Sequence, residues 1–335
     1  MSKGYQFLDA ATLRTAAEQA RRELADNVLV GLSEKPKRLS SRFIYDDRGS
    51  ELFARITELD VYYPTACEFE ILRTNARAIL DQMGGRPFDL VDLGAGDGRK
   101  TMVLLQAFAE AGADVRFVPI DISEGAMRGL VDKVRGALPQ VPVAGLVSEY
   151  MDGLTWLSLQ EPERGRLILF LGSNIGNFSR PQARSMLRRL WNAARHDDRV
   201  LIGFDLKKDI EVLLAAYNDH GGVTAQFNKN LLERINRELD ADFDVDRFRH
   251  YATYNVFSGA MESYLVSMAS QTVNIGAVDT EFSFDAWEPI HTEYSYKYLV
   301  SDVEGLIGDT GYVLEDKLFD SRRWFLDAIC RVEKR

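Results

Sequence analysis

Cysteine is scarce in this chain: Cys67 and Cys330 are the two among 335 residues. Two thiols cannot build a disulfide framework or a cysteine-rich zinc site. Histidine is scarce as well. His196, His220, His250 and His291 show no HExxH or comparable ligand spacing, so no resident metal is expected. No apolar run approaches the ~18 residues that span a bilayer. The stretch from Met1 to Gln19 is polar and lacks the apolar segment of a secretory signal. A reducing cytoplasm is therefore the expected address. Positive charge is in deficit, with 41 Lys and Arg against 51 Asp and Glu, a net charge of −10. That balance argues against nucleic acid or an anionic membrane as a partner, but leaves room for a small ligand held locally. A length of 335 residues sets an expectation of about two domains, each able to bury a core without staples.

What is present has a clear order. Residues 9–33 carry apolar positions at helical spacing, among them Leu13, Ala16, Ala17, Ala20, Leu24 and Val28. Further helices are expected near Glu51–Leu59 and Ala66–Asp81, and no strand is expected in this part. Then the period changes. Pro87–Gly94, Val115–Ser123, Pro142–Tyr150, Arg166–Asn174 and Arg199–Lys207 read as strands, with helical stretches between them. Strands alternating with helices of about a dozen residues predict a parallel, doubly wound sheet. From Lys208 to about Asp246 the chain reads as helices broken at His220-Gly221-Gly222, and 250–298 reads as several strands. A helix near Ser301–Asp309 then precedes Tyr312–Phe319 and Trp324–Val332. Those two strands are joined by so short a turn that they must run antiparallel.

The sharpest local motif is Asp92-Leu93-Gly94-Ala95-Gly96-Asp97-Gly98, between the first strand of the alternating region and its helix. The spacing is GxGxG, which is neither the dinucleotide fingerprint GxGxxG nor a Walker A loop. Asp92 stands two residues before the first glycine. A carboxylate there suits an ammonium group better than a pyrophosphate, which needs N–H donors. Asp121 ends the second strand, where an acid can accept both hydroxyls of a ribose; it can also be simply a solvated strand end. Glu149, at the end of the third strand, can face an adenine. An amino-acid tail, a ribose and an adenine together describe S-adenosylmethionine (SAM). The candidate cofactor set is Asp92, Gly94, Gly96, Lys100, Asp121 and Glu149. With the terminal antiparallel pair, the layout resembles the α/β fold of a class I SAM-dependent methyltransferase (Rossmann-like), a doubly wound sheet, and the resemblance implies an inserted α+β substrate-binding domain. The fourth strand ends in Gly172-Ser173-Asn174-Ile175-Gly176-Asn177. Asparagine there can bind an amino group, or can mark a polar turn.

Longer blocks carry a resemblance. Residues 43–53 (FIYDDRGSELF), Tyr62-Tyr63-Pro64-Thr65 with Glu68, and 170–177 (FLGSNIGN) resemble the histidine-specific SAM-dependent methyltransferases that make hercynine for ergothioneine biosynthesis. So do Ala216-Tyr217-Asn218-Asp219, 222–228 (GVTAQFN) and Asn236-Arg237-Glu238-Leu239. The resemblance runs from about residue 25 to the end. It implies that Tyr62, Asn177 and Tyr217 hold the substrate's α-amino and carboxylate groups, Tyr62 and Asn177 being the candidate catalytic residues. It implies that Tyr45, Glu293 and Ser295 recognise the imidazole. It also implies a SAM-binding domain of 66–207 plus 298–335 and a substrate-binding domain of 1–65 plus 208–297. The expected partner is a small amino acid, and a monomer is expected.

The residues can be read beside the resemblance. A strand through His291-Thr292-Glu293-Tyr294-Ser295-Tyr296 puts Glu293 and Ser295 on one face, with Tyr294, Tyr296 and Tyr298 on the other. Glu can accept from one imidazole nitrogen and Ser can serve the second. The same pattern also describes an amphipathic strand with Glu293 in solvent. One position departs from the family pattern: Ser263 falls where a large apolar side chain is usual, with Met261 two residues before it. The same chemistry on another aromatic amino acid, such as a tryptophan derivative, is the second reading. A non-catalytic SAM-binding protein is the third.

Overall fold

The computed structural model describes residues 5–7, 13–159 and 164–334. Strand β1 (Tyr5–Phe7) is followed by helix α1 (Leu13–Ser33), a two-residue strand β2 (Lys37–Arg38) and helices α2 (Asp47–Ile56) and α3 (Tyr63–Asp81). Strands and helices then alternate: β3 (Phe88–Leu93), α4 (Arg99–Glu110), β4 (Val115–Asp121), α5 (Glu124–Ala137), β5 (Gly145–Val147), α6 (Tyr150–Ser158), β6 (Gly165–Phe170), α7 (Arg180–Ala193) and β7 (Arg199–Asp205). Next come α8 (Ile210–Tyr217), α9 (Val223–Leu239), β8 (Phe248–Asn255), β9 (Ala260–Ser267), β10 (Gln271–Ile275), β11 (Thr280–Phe284) and β12 (Pro289–Tyr296). The chain closes with α10 (Val300–Asp309), β13 (Tyr312–Phe319) and β14 (Phe325–Val332). Among the described residues no helix is long and apolar enough to cross a membrane.

Two units divide the chain. The first takes residues 64–207 and 297–334 together with β1; the second takes 13–63 and 208–296. The first is an eight-stranded sheet of order β1-β5-β4-β3-β6-β7-β14-β13. Its middle strands are buried along their length, as every residue of β3 is, which explains their near-continuous apolar runs. From β3 the chain steps outward to β4 and β5, then returns to lay β6 on the other side of β3. That reversal opens a crevice beyond the carboxyl ends of β3 and β6. The loops 94–98 and 171–177 leave the sheet at those two ends. β14 runs antiparallel to β7 and pairs antiparallel with β13. Asp320 closes the turn between them, its carboxylate accepting from the N–H groups of Trp324 and Phe325 at 2.7 Å each.

Two strands were not expected. β1 pairs in parallel with β5, Tyr5 opposite Gly145, although residues 1–65 were expected with the other unit. β2 pairs in parallel with β12, although no strand was expected before residue 87. The expected helix over 9–33 is seen from Leu13; residues 9–12 lie outside the described residues.

The second unit packs α1, α2, α8 and α9 with the sheet β2-β12-β9-β8 and the hairpin β10–β11. α9 supplies the seam. Val223, Phe227, Leu231, Ile235 and Leu239 recur every fourth residue, and all are buried in one core with Leu24, Val28, Phe43, Ile44, Phe248 and Ile290. Asn228 and Asn230 share that helix and are fully buried. Asn228 accepts from the Thr292 hydroxyl at 2.8 Å and donates to the Thr224 carbonyl at 3.1 Å, and the Asn230 amide nitrogen donates to the Ile44 carbonyl at 3.1 Å and the Asp46 carboxylate at 2.7 Å.

Candidate active site

In the first unit the site begins at the end of β3. Gly94, Gly96 and Gly98 all hold positive φ, at +73°, +53° and +64°, which side-chain-bearing residues resist. Their reasons differ. A Cβ built at Gly94 or Gly96 meets nothing within 4 Å, whereas one at Gly98 would lie 2.2 Å from Leu130. Gly98 is needed for packing, and Gly94 and Gly96 leave the backbone open to a ligand. Asp92 lies beneath this loop and is 4% exposed. Its carboxylate accepts from the Thr101 hydroxyl of α4. Burial pushes the Asp92 carboxyl up to about 6, against the pull of the Thr101 bond and the Lys100 charge. A buried carboxylate held so high is poised to take a cationic partner. Asp121 ties the loop to β4: it accepts from the Gly96 N–H and the Ser123 N–H, each at 2.9 Å. Glu149 is exposed at the start of α6, just past β5. These groups fit a ligand with an ammonium and a sugar.

Lys100 is engaged differently from the expectation. Its ammonium lies 2.5 Å from Glu68, a fully buried carboxylate on α3. Glu68 also accepts from the Gly172 N–H, at 2.8 and 3.1 Å. This carboxylate thus fastens the helix after the glycine loop to the start of the asparagine loop. Within the latter, Ser173 is left-handed at φ +55°, a strained conformation for a serine. Its hydroxyl accepts from the Asp205 N–H at 3.1 Å. The constraint delivers Asn177, half-buried, at the end of a short 3-10 turn, Asn174–Asn177.

In the second unit five expected residues converge. Tyr45 sits between α2 and the turn before it. Its neighbours are locked: Asp46 caps α2 by accepting from Gly49 N–H at 2.8 Å, and Asn230 binds both Ile44 and Asp46. Burial holds the Tyr45 phenol well above its usual range, with Glu293, Tyr62 and Tyr217 adding to the effect. The Tyr62 and Tyr217 rings lie 6.5 Å apart, and the Tyr217 hydroxyl is 2.7 Å from that of Ser295. Phe53 and Phe227 close the wall, each within 6 Å of the Tyr45 ring centre. Neither stands out in the sequence as a site residue, although Phe53 lies within 43–53 and Phe227 within 222–228, two stretches that carry the resemblance.

Strand β12 orients the remaining pair. Glu293 lies opposite Ser263 and Ser295 opposite Met261, so all four share one face of the sheet. A bulge between His291 and Glu293 sets that register. Ser263 and Met261 are both buried, so the apolar surface beside Ser295 comes from Met261. Tyr298 does not follow Tyr294 and Tyr296. It lies past the end of β12, fully buried in the first unit, with its ring edge-on to Phe204 at 5.1 Å. Among the described residues no group of His, Cys, Asp and Glu is arranged to hold a metal ion.

Comparison with known proteins adds to this geometry. Residues 24–332 match the model of a family described as histidine-specific methyltransferase, SAM-dependent. A histidine N-alpha-methyltransferase of Mycobacterium tuberculosis is 40% identical over 276 residues, 82% of this chain and 84% of that one. Its counterpart of the same name from Mycolicibacterium smegmatis is 37% identical over 88% of this chain and 91% of its own length. Ergothioneine biosynthesis protein 1 of Schizosaccharomyces pombe is 32% identical over 75% of this chain and 33% of its own length.

Proposed function

The chain belongs to the family of histidine-specific, SAM-dependent methyltransferases, and we propose that it trimethylates the α-amino group of L-histidine, giving hercynine for ergothioneine biosynthesis. The observation that carries this reading is the convergence of Tyr45, Tyr62, Tyr217, Glu293 and Ser295 in one unit. Three phenols, a hydroxyl and a carboxylate suit an amino acid with a polar, two-nitrogen side chain. Glu293 would accept from one imidazole N–H and Ser295 would serve the second nitrogen. Two free, buried cysteines support a reducing cytosol as its address.

When bound, SAM supplies a methyl group carried on a sulfonium. Asp92, Gly94, Gly96, Asp121 and Glu149 would hold it, with Lys100 neutralising Glu68 alongside. The rest is positioning by the protein. Asn177 would hydrogen-bond the neutral amine and aim its lone pair, the proton having left to water. Orientation of this kind contributes on the order of 7–11 kcal/mol in favourable cases. The nitrogen ends as a fixed cation, and the faces of tyrosine rings favour cations. Mass spectrometry with SAM and a panel of amino acids tests the reading. Histidine gaining three methyl groups is expected; methylation of several amino acids alike, or none of histidine, overturns it.

Two further results are expected. Asn177→Ala should lower kcat more than it raises KM, because an orienting contact acts mainly in the transition state. A rise in KM alone would make Asn177 a binding contact only. The second result concerns pH. The folded Asp92 carboxyl sits at about 6, above its unfolded value. Its burial therefore favours the protonated form, and the contribution to stability is lost as pH rises through 6. A cationic ligand reverses the balance, because it prefers the ionised carboxylate. SAM affinity should thus weaken roughly tenfold per pH unit below 6. Titration calorimetry at pH 5 and 7.5 reads this; equal affinities would remove Asp92 from the cofactor site.

A further inference from the structure

The residue after Tyr217 is built into the sheet in an unusual way. Helix α8 ends at Tyr217, and Asn218 folds its side chain onto strand β8. The Asn218 amide donates to the Ala252 carbonyl at 3.0 Å and accepts from the Ala252 N–H at 3.1 Å. It also donates to the Leu214 carbonyl at 3.2 Å. β8 is the last strand of its sheet, so a residue on it can turn both backbone groups outward. One primary amide here does the work of the next strand. Two residues away, the His250 Nε2 lies 3.0 Å from the Tyr217 carbonyl. A carbonyl only accepts, so Nε2 carries the proton, and Nδ1 is buried with no hydrogen-bond partner. Asp219 completes the corner by accepting from the Val223 and Thr224 N–H groups at 2.9 and 2.7 Å, which starts α9.

These contacts act on Tyr217 from behind. Its backbone is pinned to β8, while its hydroxyl reaches Ser295 on β12, across the intervening β9. Any slip of the helix end would carry the phenol away from Ser295 and Tyr62. We infer that Asn218 and His250 are positioning residues that hold Tyr217 in register for substrate, Asn218 through its paired bonds to Ala252 and His250 through its bond to the Tyr217 carbonyl. The inference rests on the proposed role of Tyr217 as a substrate contact.

The isosteric change Asn218→Asp removes the donor and sets a carboxylate against the Ala252 carbonyl. His250→Phe removes the second tether. His250→Gln keeps an N–H donor at nearly the Nε2 position. For Asn218→Asp and His250→Phe, KM for histidine should rise about tenfold, the size of one hydrogen bond, with kcat changed by less than about threefold. SAM affinity by calorimetry should stay as in wild type, because the candidate cofactor groups belong to the other unit. His250→Gln should restore KM. A general loss of folding would instead lower SAM binding, kcat and histidine affinity together, and that pattern overturns the inference. So does an unchanged KM in Asn218→Asp and His250→Phe when Tyr217→Phe raises it. If Tyr217→Phe itself leaves KM unchanged, the reading of Tyr217 as a substrate contact fails first, and the positioning role falls with it.

Discussion

Gly96→Val is expected to weaken SAM binding by about a hundredfold, on the order of 2.7 kcal/mol, while the fold persists. Gly96 sits at φ +53°, where a β-branched side chain is strained by about 1–2 kcal/mol. The space around it is open on the protein side: a Cβ there meets nothing within 4 Å. Valine would therefore clash with little of the protein and would fill the face the loop offers to a ligand. The strain would also disturb the bond from the Gly96 N–H to Asp121, and with it the second expected cofactor contact. Gly98 is the internal control. There a Cβ would run into Leu130, so Gly98→Ala should lower the melting temperature rather than act on the ligand alone. Titration calorimetry and thermal melts on both variants separate the two roles. Unchanged SAM affinity in Gly96→Val would remove the glycine loop from the cofactor site.

The parts of the fold that could be read in advance have long, repetitive signals. β3, β6 and β7 are buried apolar runs, and the terminal pair is set by a turn too short for a crossover. β1 and β2 have three and two residues. No periodicity can be expressed in so few positions, so their pairing depends on partners far along the chain. The site divides in the same way. Asp92 and the glycines are legible because one loop holds them together. The role of Glu68 is not: its partners Lys100 and Gly172 come from other elements, and only the folded sheet brings them together. Tyr298 departs from the alternation because it stands two residues beyond the end of β12. The strand ends at Tyr296, and the chain then passes into the first unit. The bulge beside Glu293 was equally invisible, although it decides which side chains share the face of Ser295.

Glu293→Ala is expected to lower kcat/KM for histidine by roughly ten- to a hundredfold. A hydrogen bond to a charged group is worth about 1.5–3 kcal/mol, and about 1.4 kcal/mol is one decade in rate. Glu293 lies on the face of β12 that carries Ser295, close enough to the Tyr45 phenol to help raise it. With histidine its carboxylate would gain an N–H partner. With a phenylalanine side chain it would lose water and gain nothing, which costs energy. The same substitution should therefore leave turnover of phenylalanine or tryptophan unchanged or slightly improved. Melting temperature and SAM affinity should hold, since Glu293 is only half-buried. Ser263→Met is the companion test. Ser263 stands opposite Glu293, and Met261 already lies beside Ser295. Added bulk should tighten histidine binding if the space beside Glu293 is loose, and block it if Met261 fills that space. Measured kcat/KM across the three amino acids decides the role of the carboxylate. A Glu293→Ala protein that loses activity equally on all of them would make Glu293 a structural support for Tyr45 rather than the group that selects imidazole.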